Sequence, residues 1–320
     1  MPSTHGLLLD IVTGASQGIG KAIAESIAHT RANTLSATTT CEAGASTSSY
    51  KLILVGRNME RGSRVAEEIT KSSGLMASFE VCDLGNFQQV QDLKRRIQKE
   101  HEDQTTTPIR IGVLMNYAAE CPQQQRLVQH PRRVDTEGNI VTETIDAQFA
   151  TNVLGYHFMM KTFEDWYSDG DGNEDFPTRI VNIASNWAGD LDLNDLHFQK
   201  RSYDNDTAYR QSKQCDRMLN VMWAERMRGQ HHDNVLVNAC HPGDPRTTLS
   251  CALGYNTYAA EPDRRFVQNR NNPIMHLCGL GKNSLTTTGG WYDGTISPQK
   301  DPYANRREQA QELFRICESF

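Results

Sequence analysis

Two side chains four residues apart carry the first chemical suggestion in this sequence. Tyr209 and Lys213, in Tyr209-Arg210-Gln211-Ser212-Lys213, fall on one face of a helix. An ammonium so placed favours the phenolate, drawing a phenol of ordinary pKa about 10 toward acid or base work at neutral pH. Such a pair alone is more often a surface helix pair, so its surroundings decide. Upstream, Arg179-Ile180-Val181-Asn182-Ile183-Ala184-Ser185 reads as an apolar strand that delivers Ser185 at its carboxyl end. Ligands of open α/β sheets bind at that end. Asn152 sits within a long helical pattern that its propensity does not favour, which marks the position as special.

A second chemistry is legible near the start of the chain. After an apolar run comes Thr13-Gly14-Ala15-Ser16-Gln17-Gly18-Ile19-Gly20, opening a helical pattern. Gly14 suits a tight turn, Gly18 lets backbone approach a pyrophosphate, and Gly20 permits close packing of helix on strand. The helix N-terminus then offers N–H groups and a favourable dipole to anionic oxygens. Further on, Val55-Gly56-Arg57-Asn58 ends the second strand, where a dinucleotide fold faces the adenosine ribose. A basic residue there accommodates the 2′-phosphate of NADP, and the planar fork of Arg57 matches phosphate oxygens. Cys82-Asp83-Leu84 closes the third strand; Asp83 reads either as a cofactor contact or as the N-cap of the next helix.

Short strands alternate with amphipathic helices to hold these residues. The strand segments are Leu7–Thr13, Leu52–Val55, Ser78–Cys82, Gly112–Met115, Ile180–Ile183 and Leu236–Cys240. Between them lie helical patterns at Ile19–His29, Arg61–Lys71, Phe87–His101, Ile145–Trp166 and Ala208–Arg228. That rhythm predicts an α/β fold, a doubly wound parallel sheet with helices on both faces. Asp10 interrupts the first strand and needs a partner or an exposed position. Two insertions break the rhythm. From Thr34 to Tyr50, nine of seventeen residues are Ser or Thr, which reads as a flexible loop (34–50). From Glu164 to Asp175, six of twelve are acidic, which reads as a solvated loop (164–176). Asp169, Asp171 and Asn173 have calcium-loop spacing, but Glu174 and Ile180 stand where that loop requires Gly and Glu.

The motif order resembles that of the short-chain dehydrogenase/reductase superfamily, whose signature is T-G-x-x-x-G-x-G. The 23 residues between Ser185 and Tyr209, with Asp195-Leu196, resemble its retinol-dehydrogenase-like branch. The resemblance covers Thr13 to Thr247 and implies a Rossmann-type sheet. It assigns Ser185, Tyr209, Lys213 and Asn152 to catalysis. It assigns Gly14, Ser16, Gln17, Gly18, Ile19, Gly20, Arg57, Asp83, Leu84, Asn116, Ala118, Pro242, Gly243 and Thr247 to the cofactor, together with Tyr209 and Lys213. By that resemblance Asn152 relays protons through the lysine and water, and Asp83 contacts adenine. The implied activity is NADP(H)-dependent interconversion of an alcohol and a carbonyl on a lipophilic small molecule. Two alternatives stand beside it: C=C reduction, as in the similar protochlorophyllide reductases, and a non-catalytic NADP-binding scaffold or redox sensor. The family's N-N-A-G is here Asn116-Tyr117-Ala118-Ala119, a departure that alters a sheet-to-cofactor contact or narrows the nicotinamide pocket. Glu120–Glu143 and Leu249–Gly290 are the expected substrate-side segments, with Trp187, Leu249, Leu253, Tyr255 and Tyr258 as apolar wall.

Composition narrows the partners. The 320 residues are about twice the usual domain length, yet an enlarged single domain, 1–320, fits the motif order. A formal charge of −6, from 39 acids against 33 Lys and Arg, gives no basic face for nucleic acid. Eight cysteines without a C-x-x-C, and His231-His232-Asp233 without further ligands, predict no metal site. Scattered cysteines in an acidic chain with neither signal peptide nor transmembrane run predict a reduced, cytoplasmic protein. The resemblance implies a monomer or a homodimer, since family members often dimerise through helices matching Ile145–Trp166 and Ala208–Arg228.

Overall fold

The computed structural model describes residues 6–39, 50–103, 107–134, 140–167, 177–244, 247–254, 264–269, 272–280 and 286–320. Its main element is a seven-stranded parallel sheet. The strands are β1 (Leu7–Thr13), β2 (Tyr50–Gly56), β3 (Ala77–Val81), β4 (Ile109–Asn116), β7 (Thr178–Ile183), β8 (Val235–His241) and β9 (Trp291–Asp293). Their order is β3-β2-β1-β4-β7-β8-β9, so the chain reverses direction across the sheet between β1 and β4. That switch point opens a crevice at the carboxyl ends of the strands. All six strands expected from the sequence are present. β9 was not foreseen, because three residues give no periodicity to detect.

Helices cover both faces. α1 (Gly18–Thr39), α2 (Met59–Ser73) and α8 (Pro273–Leu277) bury Ile23, Ile27, Val65, Ile69, Ile274 and Leu277 on one side. On the other, α3 (Phe87–Glu102), α4 (Gly155–Thr162), α5 (Asn205–Gly229) and α9 (Arg307–Glu318) bury Leu93, Phe158, Met218, Trp223 and Leu313. Helix starts follow their caps. Asn58 accepts from Arg61 N, Asn86 from Gln89 N and Asp204 from Thr207 N. Asn86, not Asp83, is therefore the cap of α3; Asp83 instead turns the chain by accepting from Gly85 N at 3.1 Å.

Asp10 found a buried solution. Arg31, on α1, donates to it through Nε at 2.8 Å and Nη2 at 3.0 Å, and the Tyr50 hydroxyl adds a bond of 3.0 Å.

Several segment readings are corrected. α1 runs on through Thr39, since Ala, Leu, Ser and Thr at its end impose no break; residues 40–49 lie outside those described. The expected helix Ile145–Trp166 is a composite. Residues 145–146 end a strand, Phe149–Leu154 form a π-helical turn, α4 follows, and Glu164–Trp166 close with a 3₁₀ turn. The strand is β6 (Ile140–Asp146), paired antiparallel with β5 (Leu127–Val134), so much of Glu120–Glu143 is a hairpin rather than a substrate loop. The acidic stretch begins as structure too: Glu164 is paired with Arg226, and Asp165 with Lys94. Its remainder, with Asp169, Asp171 and Asn173, lies outside the described residues.

Candidate active site

Three strands deliver the glycine turn and its supports to one place. Gly14 has φ +68°, and a Cβ there would stand 2.9 Å from Ala118 Cα. At Gly20 a Cβ would meet the Gly14 carbonyl oxygen at 2.3 Å, so the turn folds back on its helix only with glycine at that position. The turn is fastened on both sides. Gly14 N donates to Val55 O at 2.8 Å. The Thr13 hydroxyl donates to Met115 O and accepts from Tyr117 N and Ala118 N, at 3.2, 2.9 and 3.1 Å. Tyr117, in the departing motif, packs against the Gly14–Gly20 turn and lines the crevice.

The crevice has a volume of about 800 Å³. Of the residues expected to hold a cofactor, Gly14, Ser16, Gln17, Gly18, Ile19, Arg57, Asp83, Leu84, Ala118, Pro242, Gly243 and Thr247 line it. Gly20 and Asn116 do not. Gly20 acts through the packing just described. Asn116 is fully buried in the sheet and donates to Asn182 Oδ1 at 2.9 Å, so it joins β4 to β7 instead of facing the crevice. Gly243 has φ +93°, and Thr247 caps α6 (Thr248–Ala252) through a reciprocal pair of bonds with Ser250.

Ser185, Tyr209 and Lys213 line the same crevice. Ser185 follows β7 and accepts from Trp187 N at 3.0 Å, which orients its hydroxyl. Tyr209 shares a hydrogen bond with Ser185 and is 9% exposed. Burial pushes its phenol well above the ordinary value, with the Ser185 bond opposing. Lys213 donates to Ile183 O at 2.9 Å and to Asp216 Oδ2 at 2.8 Å, and its Nζ lies 5.9 Å from the Tyr209 ring. The sequence reading did not assign Asp216. Burial raises this carboxyl to about 6, against the pull of Lys213. One helical turn ahead of it, i and i+3, was the available signal.

Asn152 stands in the π-helical turn, fully buried and outside the crevice lining. Its Oδ1 accepts from Glu120 N at 2.9 Å, and its Nδ2 donates to Glu120 O at 3.0 Å and Ser212 Oγ at 3.1 Å. The amide thus clamps the backbone beyond β4 and ties it to α5. π-turns concentrate at sites where a side chain must be re-aimed, consistent with a residue unfavoured in an ordinary helix.

Arg61, which sequence reasoning passed over, also lines the crevice, as does Glu120, the first residue of an expected substrate-side segment. Arg61 donates to Gln17 Oε1 at 2.5 Å. Glu120 pairs with Arg57 at 3.1 Å and with Arg126. On the substrate side, Trp187, 44% exposed, lines the crevice with Cys121, Leu249, Ala252 and Leu253. Tyr255 and Tyr258 lie outside the described residues. The Leu249–Gly290 stretch is only partly wall, because α8 within it is buried against the sheet.

The cradle fits a dinucleotide. Gly14 and Gly20 let the turn pack tightly on its supports, Gly18 faces open space, α1 presents its N-terminus, and apolar Val55, Ile19 and Leu84 flank it.

The chain shares its pattern with known proteins. It is 28% identical over 316 residues to retinol dehydrogenase 13 of Mus musculus, spanning 95% of this chain and 80% of that one. An oxidoreductase structure from Escherichia coli superposes with a TM-score of 0.58 at 19% identity, over 92% of this chain and 98% of that one. So does a short chain dehydrogenase from Escherichia coli CFT073 complexed with NADPH, with a TM-score of 0.58 at 19% identity over 92% and 99%. At those identities the two structures speak for the fold. The profile described as short chain dehydrogenase matches residues 38–254, a span that holds Arg57, Asn152, Ser185, Tyr209 and Lys213. With its parallel sheet and its similarity to retinol dehydrogenases, the chain belongs to the short chain dehydrogenase family.

Proposed function

We propose that the protein is an NADPH-dependent carbonyl reductase acting on lipophilic small molecules. The observation that carries this reading is the meeting of Ser185, Tyr209 and Lys213 in the crevice that the glycine turn also lines. A nicotinamide cofactor held there supplies the hydride. Gly14, Gly18 and the α1 N-terminus would hold its phosphates, and Arg57 its 2′-phosphate.

The chain's own residues then do the following. Tyr209 donates its proton to the carbonyl oxygen of the substrate. Its phenol is held protonated by burial, which suits a general acid. Ser185, whose hydroxyl is fixed by Trp187 N, donates a hydrogen bond to the same oxygen and orients it. Lys213, anchored by Ile183 O and Asp216, steadies the negative charge left on Tyr209. Asn152 keeps the strand-end backbone in register with α5. Trp187, Leu249 and Leu253 offer an apolar wall to a lipophilic substrate.

Tyr209→Phe is expected to lower turnover of carbonyl substrates by about 10²-fold or more, with NADPH binding retained by fluorescence titration. Full activity in that variant would refute the mechanism. Arg57→Asp is expected to swing preference from NADPH toward NADH. Relative kcat/KM for the two cofactors is the readout, and an unchanged ratio excludes Arg57 as the 2′-phosphate residue.

A further inference from the structure

We infer that Glu120 sets the cofactor affinity of the site by competing with the 2′-phosphate for Arg57. This inference rests on the NADP reading of Arg57 given above. Sheet order supplies the argument. β1 lies between β2 and β4, so the glycine turn after β1 is flanked by Arg57 from the end of β2 and Glu120 from beyond β4. The two meet at 3.1 Å, and turn and pair line the same crevice.

The partners differ in freedom. The Arg57 side chain is 57% exposed, whereas that of Glu120 is 11% exposed, and the Glu120 backbone is clamped at both N and O by Asn152. Glu120 therefore stays, and Arg57 is the partner that moves. A carboxylate beside a phosphate-binding turn repels what the turn must hold, unless cations cover it. Arg126 also pairs with Glu120, so the carboxylate keeps a counter-ion when Arg57 leaves. The arrangement works as an exchange: Arg57 passes from the Glu120 carboxylate to a phosphate dianion of higher charge, and Arg126 remains. Ligands with no 2′-phosphate gain nothing from Arg57 whether or not Glu120 holds it, so Glu120 moderates the affinity of those that carry one and, with it, the discrimination between the two.

The experiment is calorimetric titration with adenosine 2′,5′-bisphosphate and with adenosine 5′-monophosphate, with no turnover involved. Glu120→Gln is expected to strengthen the bisphosphate about two- to fivefold relative to the monophosphate at low salt, the size of an exposed ion pair, and less as salt rises. Glu120→Ala should behave alike. Arg126→Gln, which leaves Arg57 as the only cation paired with the carboxylate among the described residues, should move the ratio the other way. In an Arg57→Gln background the effect of Glu120→Gln on the ratio should vanish. An unchanged ratio in Glu120→Gln, or the same gain without Arg57, would overturn the competition while leaving the cofactor reading intact. A wild-type protein that binds both ligands equally would overturn the cofactor reading itself, and this inference with it.

Discussion

Asp10 shows how a single residue can be read correctly as a problem and still hide its answer. A carboxylate in the middle of an apolar strand required a counter-charge, and the structure provides Arg31 with two hydrogen bonds and Tyr50 with a third. Neither partner was legible. Arg31 sits on a helix whose length the Ser/Thr-rich sequence obscured, and Tyr50 was assigned to a loop. Removing one partner of a buried pair leaves the other charge uncompensated. Asp10→Ala is therefore expected to destabilise the fold by about 3–5 kcal/mol, read as a lower denaturant midpoint at unchanged slope. A loss under about 1 kcal/mol would mean that water replaces the carboxylate. Ser185, Tyr209 and Lys213 were legible for a different reason. The i, i+4 spacing and the strand end that bring them to one crevice are both written locally. Asp216 and Glu120 were not, because their significance comes from contacts with Lys213 and Arg57 that only tertiary structure creates.

Among elements, α9 illustrates a role that no sequence motif announces. It closes one face of the sheet with Leu313 and Cys317, and its last turn carries Glu318 into a cluster. Glu318 lies 3.1 Å from His157 Nε2, 3.1 Å from Lys161 and 3.8 Å from Arg226. Burial keeps His157 below its ordinary value, and its Nδ1 accepts from Trp223 at 3.3 Å. The hydrogen bond to His157, helped by Lys161, draws Glu318 from 4.5 down to about 2. A carboxyl depressed in the folded state adds stability above its unfolded value, and that contribution is lost as pH falls through the folded value. The window thus runs from about pH 4.5 down to about pH 2. Over that range the melting temperature of the wild type should fall toward that of Glu318→Gln, measured by circular dichroism. A gap that stayed constant with pH would show that the carboxylate does not anchor α9. The composite segment from β6 to the 3₁₀ turn was misread as one helix because its apolar spacing fits several periods; only the π-turn places Asn152 where it clamps Glu120.

For the whole molecule, alternation of strand and helix was enough to foresee a doubly wound parallel sheet with helices on both faces, since each βαβ unit has one favoured hand. The edges were less visible. β9 is too short to show a period, and the β5–β6 hairpin was concealed in a polar stretch. Sheet order also has a consequence for how the molecule comes into being. β1 is an interior strand, yet its inner neighbour β4 lies about a hundred residues further along: the Thr13 hydroxyl bond to Met115 spans 102 positions. Emerging from a ribosome, β1 can join β2 early, but one of its edges stays open until β4 has been made. Non-local pairing of this kind slows folding and prolongs exposure of apolar strands. The glycine turn, fastened from both sides by Val55 and Met115, therefore takes its final shape only once β4 has been made, although its own sequence is translated well before that strand.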